Sequence, residues 1–200
     1  MIRVKVYTAS TEEPVSILEV KQWLRLEEDE VTDDPVVEAL IATARGRIEE
    51  RHKRAYMRQT FDAYLDACEI PYHGDPIEMP RSPLVSVSSI RYFGSSEISD
   101  TGGTSVSTTG FYVDTAREPG RIVPAQGVAY PTPTRDTNAL IVRFEAGYST
   151  SSTGIPDQAK TEIKQLVAKL YEHRGDEPAL AAVLMDYDQQ PSDFDLPEWG

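Results

Sequence analysis

One cysteine, Cys68, stands in 200 residues, so no internal disulfide framework can hold this chain together. That scarcity leads us to expect a reducing, cytoplasmic place of synthesis. No apolar run approaches the roughly eighteen residues of a membrane span, so no membrane span is expected. The opening MIRVKVYTAS has no apolar stretch of the kind a secretory signal needs, and none is expected. His52, His73 and His173 are scattered, and neither HExxH nor a paired ligand spacing occurs, which argues against a metal site. Gly102, Gly103 and Gly110 do not form the phosphate cradle GxxxxGK[ST], and no GxSxG elbow is present. Lys and Arg number 20 against 33 Asp and Glu, a net charge of −13. An acidic chain is poorly suited to wrapping DNA, though not to forming a wall that DNA slides past. No cofactor and no enzymatic activity are expected. Carboxylates are plentiful, so a catalytic acid pair in the middle of the chain stays open as an alternative.

What is present centres on residues 155–174, IPDQAKTEIKQLVAKLYEHR. Ala159, Ile163, Leu166, Val167, Leu170 and Tyr171 recur at three- and four-residue steps and line one face of a helix. A helix with a single apolar stripe needs a partner surface. The other strong helices lie more than a hundred residues earlier. In the first, about 16–26, Ser16 and Glu19 are placed to form a capping box, and Val15 and Val20 to form a hydrophobic staple. Ile17, Val20, Trp23 and Leu24 share its inward face. In the second, about 35–54, Asp34 is expected to cap, with Val37, Leu40, Ile41, Ala44 and Ile48 inward. Arg45, Arg51 and Arg54 gather towards its C-terminal end, which favours cations. They read either as a solvated helix end or as a contact for an acidic partner or neighbouring subunit, with Glu27, Glu28 and Glu30 of the next copy as the candidate acids.

Between about 60 and 148 the pattern changes to short alternating segments, around Phe61–Leu65, Val85–Tyr92 and Leu140–Phe144, with shorter ones at 77–79, 111–113 and 121–123. Prolines and Ser/Thr runs separate them. No helix long enough for a parallel crossover lies between, so the strands are expected to be antiparallel. Residues 95–110 read as a long hairpin tip or loop. The fold class is therefore α+β, a small helical bundle with an inserted antiparallel β-rich region. After Gly175 the chain carries −7 in 26 residues with no Lys or Arg, leaving −6 for the other 174. Residues 179–187 are helix-compatible. The whole stretch 175–200, with isolated apolar residues, is expected to leave the domain as an extended arm whose anchors dock on another protein, or else to be a solubilising tail.

The N-terminal EPVSILEVKQWLRLEEDE and DDPVVEALIATARGRIEERHKRA, the middle IEMPRSPLVSVSSIRYF, FYVD, GRIVPAQGVAYP and IVRFEAGYS, and the closing helix form an ordered set. In this order the chain resembles the head–tail connector (adaptor) proteins of long-tailed phages and gene transfer agents, from about residue 13 to 174. The resemblance implies a structural protein of the virion neck, without catalysis. It implies a closed homo-oligomeric ring of roughly twelve copies beneath the portal protein, continuing the DNA channel to head-closure or tail proteins without specific DNA binding. A head-closure or tail-completion protein on the tail side is the alternative reading. The division would be a connector domain, 1–174, with an acidic C-terminal arm, 175–200. On that arm Met185, Tyr187, Phe194, Leu196 and Trp199 are the candidate portal anchors.

Overall fold

The computed structural model describes residues 2–29, 31–72 and 74–189. In chain order it contains β1 (Arg3–Thr8), α1 (Ile17–Leu24), α2 (Asp34–His52), β2 (Gln59–Leu65), β3 (Ile77–Glu78), β4 (Leu84–Tyr92), β5 (Thr104–Val106), β6 (Phe111–Asp114), β7 (Arg121–Pro124), β8 (Leu140–Ala146), α3 (Asp157–Glu172) and α4 (Glu177–Gln189). The fold is α+β, and the chain divides into two compact units. One consists of Met1–Ala9 with Arg58–Gly147, the other of Ser10–Met57 with Tyr148–Gly200.

The first unit is all β, and every pairing between its strands is antiparallel. A five-stranded sheet runs β1-β2-β8-β4-β5, and a three-stranded one runs β3-β7-β6. Side-chain alternation puts Phe61 and Ala63 of β2 beside Phe144 and Val142 of β8, on the apolar face. Phe61 and Phe144 stack with ring centroids 5.5 Å apart. Gly120 closes the smaller sheet onto β4, because a Cβ there would lie 2.4 Å from the Leu84 Cβ. The segment 95–110 is shorter as a loop than its composition suggests, since β5 returns along β4 from Thr104. β1 was not anticipated. Its RVKVYT alternates, but it is an edge strand with Val6 and Tyr7 exposed, so burial does not mark it.

The second unit is helical. Val37, Ile41, Ala44 and Ile48 of α2 share one core with Ala159, Ile163, Leu166, Val167 and Leu170 of α3. All nine are at most 2 % exposed, so the two stripes cover each other as the periodicity requires. The capping box of α1 forms, with the Glu19 amide donating to Ser16 Oγ at 3.2 Å and the Ser16 amide donating to Glu19 Oε2 at 2.7 Å. The staple residues Val15 and Val20 are both buried. Lys21 is 3 % exposed, and its ammonium lies 2.5 Å from Asp34 Oδ1 and donates to the Glu28 carbonyl at 3.3 Å. One buried lysine thus ties α1, the following loop and the start of α2.

Three expectations are corrected. Trp23 is 45 % exposed, because α1 is only two turns long and turns that side outward, under the Lys164 ammonium. The N-cap of α2 is Asp33, not Asp34, and its side chain makes no cap bond, accepting instead from the Tyr171 hydroxyl. Residues 177–189 are not an extended arm but the helix α4, with Leu180, Val183 and Leu184 packed on the helical core.

Truncating Leu166, 1 % exposed, should therefore destabilise the helical unit. For Leu166→Ala we expect a loss of about 2–5 kcal/mol in urea unfolding. A loss below about 0.5 kcal/mol, as at surface sites, would contradict the α2–α3 core.

Candidate assembly surfaces

The basic end of α2 is engaged within its own subunit. Arg45 donates to both carboxylate oxygens of Glu13, at 2.6 and 3.1 Å, and to Glu49 at 2.9 Å. Arg47 pairs with Asp188 of α4. Arg51 donates to the Tyr187 carbonyl and lies over the Tyr187 ring, 4.5 Å from its centroid. Arg54, expected at an exposed helix end, is 8 % exposed and donates to the Tyr148 hydroxyl. Lys53 ends α2 in the left-handed region, which turns the chain back and carries Arg54 inward. An open groove on this side is lined by Arg47, Glu50, Arg51 and Asp188.

Tyr187, expected from the sequence to anchor a partner, is 5 % exposed and seated in its own subunit. Its hydroxyl donates to Glu162 Oε1 at 2.5 Å, and the same carboxylate lies 3.4 Å from His52 Nε2. His52 Nδ1 is 3.0 Å from the Tyr56 hydroxyl. Burial pushes both phenols well above the ordinary tyrosine range. Burial also opposes ionisation of Glu162, but hydrogen bonds from His52 and Tyr187 outweigh it and leave that carboxyl below the ordinary range. The signal for this docking was legible: Leu180, Val183, Leu184 and Tyr187 stand at i, i+3, i+4 and i+7. The acidic composition of the segment masks that period. Met185, by contrast, is 64 % exposed.

A histidine between a glutamate and two tyrosines could in principle move protons. Here His52 is 2 % and Tyr56 0 % exposed, so no reactant reaches them, and the chain of contacts serves to seat α4. In the β unit, Asp62, Asp114 and Asp66 are matched by cations or backbone amides. Asp62 takes a two-pronged bond from Arg143 at 2.7 and 2.8 Å, and Asp114 accepts from Arg121 at 3.0 Å. Asp66 accepts the Asn138 amide at 2.8 Å, which with Arg3 holds it below the ordinary range. Each of these three is engaged by a bond within its own subunit. Among the described residues no group of three His, Cys, Asp or Glu side chains could hold a metal ion.

Of the remaining candidate residues, Glu27 and Glu28 are exposed in the loop after α1. The structure does not bring them to the arginines of their own chain, and Glu28 Oε1 instead accepts from Gln22 at 2.9 Å. Glu30, Phe194, Leu196 and Trp199 lie outside the described residues.

No family model and no curated protein matches this chain. Solved structures do. A chain in the neck of an empty gene transfer agent particle, computed with C6 symmetry, superposes with a TM-score of 0.71 at 22 % identity, covering 95 % of this chain and 96 % of that one. A chain of the virion of a native gene transfer agent particle gives 0.71 at 21 % identity, covering 94 % and 96 %. A chain in the neck of a native particle, computed with C12 symmetry, gives 0.65 at 20 % identity, covering 95 % and 97 %. At these identities the likeness is one of fold, and it runs almost the full length of both chains.

The Glu162 contact gives α4 docking a pH dependence of fixed sign. A carboxyl held low in the folded state stabilises it fully above the unfolded value, and that contribution drains away as pH falls. We expect hydrogen exchange across 177–189 to quicken as pH drops below the 4.5 of an ordinary glutamate, after correction for intrinsic rates. Glu162→Gln should flatten the dependence. A profile identical in wild type and variant would contradict the assignment.

Proposed function

We propose that this chain is a structural neck protein of a phage-like or gene transfer agent particle. It forms a ring that joins the portal of the DNA-filled head to the tail and continues the DNA channel. The observation that carries this reading is the shared fold with neck chains over 95 % of the sequence. Two of those neck structures were computed with C6 and C12 symmetry, and a ring of about twelve copies is compatible with both. The net charge of −13 supports a conduit, since like charge keeps the DNA backbone from adhering to the wall. A non-enzymatic role is supported by the closed His52 cluster and the matched carboxylates.

In this reading lateral contacts run head to tail, the arrangement that can close a ring. The exposed loop of Glu27 and Glu28, continuing to Glu30, meets the basic end of α2 in the next copy. Arg47 and Arg51 line the open groove there and offer charge from the helix end that also holds Arg45 and Arg54. Beyond α4, the stretch with Phe194, Leu196 and Trp199, together with exposed Met185, makes contacts outside the subunit. The portal is the partner assigned to this arm.

Particles produced without this chain should accumulate as DNA-filled heads and separate tails, with joined particles reduced at least a hundredfold in electron micrographs and transfer assays. Normal yields of joined, transfer-competent particles would overturn the reading. For the arm, the informative truncation ends at Gln189. A truncation before Ala179 would also strip Tyr187 from the core and confound docking with folding.

A further inference from the structure

β1 is the outer strand of the five-stranded sheet, and its free edge continues two kinds of side-chain row. On the apolar face, Phe144 pairs with Phe61 and Phe61 with Val6, while Val142 pairs with Ala63 and Ala63 with Val4. Both rows stop at a valine, and Val6 is 53 % exposed. On the opposite face the row Arg143, Asp62, Lys5 alternates in charge and stops at a cation. The register of β1 on β2 is regular from Arg3 to Val6 and breaks between Val6 and Thr8. The other edge of the sheet, β5, is only three residues long.

One segment of the chain has the complementary pattern. Asp193, Phe194, Asp195 and Leu196 alternate acid and apolar, as a strand with one apolar face does. Pro191 and Pro197 bracket them, and proline cannot donate to a ladder, so the pairing stretch is limited to 192–196, close in length to the regular part of β1. A pairing that sets Asp195 opposite Lys5 can run parallel or antiparallel. Phe194 and Leu196 then stand opposite Val4 and Val6. Placing an acid beside Lys5 continues the charge alternation, and placing apolar side chains beside the valines continues the apolar rows.

We propose that residues 193–196 of one copy add as a sixth strand to the β1 edge of a neighbouring copy. The inference rests on the ring reading, since a head-to-tail ring needs two unlike, complementary surfaces on each chain, and this edge and this segment are such a pair. It narrows that reading by moving Phe194 and Leu196 from the portal contact to a contact between copies, leaving Met185 and Trp199 for the portal. Backbone bonds at the edge supply attachment, and the Lys5–Asp195 pair selects the register. Four chain steps from Gln189 to Asp193 span at most roughly 13 Å, so the end of α4 in one copy has to lie about that close to β1 of the next.

The test uses assembled particles carrying Lys5→Cys and Asp195→Cys, with exposed Cys68 replaced by Ser. Mild oxidation should convert most of the chain into a ladder of covalent multimers, and either cysteine alone should give no ladder. A cross-linked monomer would mean that the tail pairs with its own β1, and a bond from position 195 to another protein would assign the segment to that partner; each overturns the inference. A ring that assembles without cross-linking overturns it while leaving the ring reading intact, whereas particles with no ring remove both. In a separate arm, Lys5→Glu or Asp195→Lys should each lower incorporation at least tenfold, and the two together should restore it. Absence of rescue counts against the pairing.

Discussion

The helical unit depends on the burial of one apolar stripe against another. Neither α2 nor α3 has a second apolar face, and isolated helices of their length are marginal in water. Each becomes stable when Ile41, Ala44 and Ile48 meet Ile163, Val167 and Leu170. The two stretches are separated in sequence by the whole β-rich region, so the contact that holds the unit together is long-range in sequence. Its secondary features then follow. The Ser16 cap and the buried Lys21 fix α1 on the pair, and the remaining apolar margin receives α4.

That margin explains the chemistry at the end of α2. A run of arginines at a helix C-terminus suits the dipole, but Tyr187 and Asp188 arrive on α4 with matching acceptors and a ring face. Buried Tyr56 and His52, with partly buried Glu162, complete a hydrogen-bonded seat for α4. The acidic surplus is what remains after these internal pairs form. It lies in exposed places such as Glu27 to Asp29.

The parts of this fold that were legible in the sequence are those where burial is periodic. The stripes of α2 and α3, the Ser16–Glu19 box and the alternation of β2, β4 and β8 could all be read residue by residue. Features decided by contacts distant in sequence could not. β1 is an edge strand whose side chains are mostly exposed, so its pattern has no buried face to register. Trp23 reads as core on a helical wheel, and only the short length of α1 leaves it outside. For the candidate surfaces, charge suggested which end of α2 matters but not that Arg54 turns inward. The 180–187 stripe shows how an overall composition can mask a local period.

The central claim is that this chain is a ring component of a particle neck. The most direct measurement is cryo-electron microscopy of intact particles, reconstructed at the neck without imposed symmetry. The account predicts a closed ring of about twelve copies of this fold around the DNA axis, between portal and tail. A single copy, an open arrangement, or a neck without this chain would contradict it.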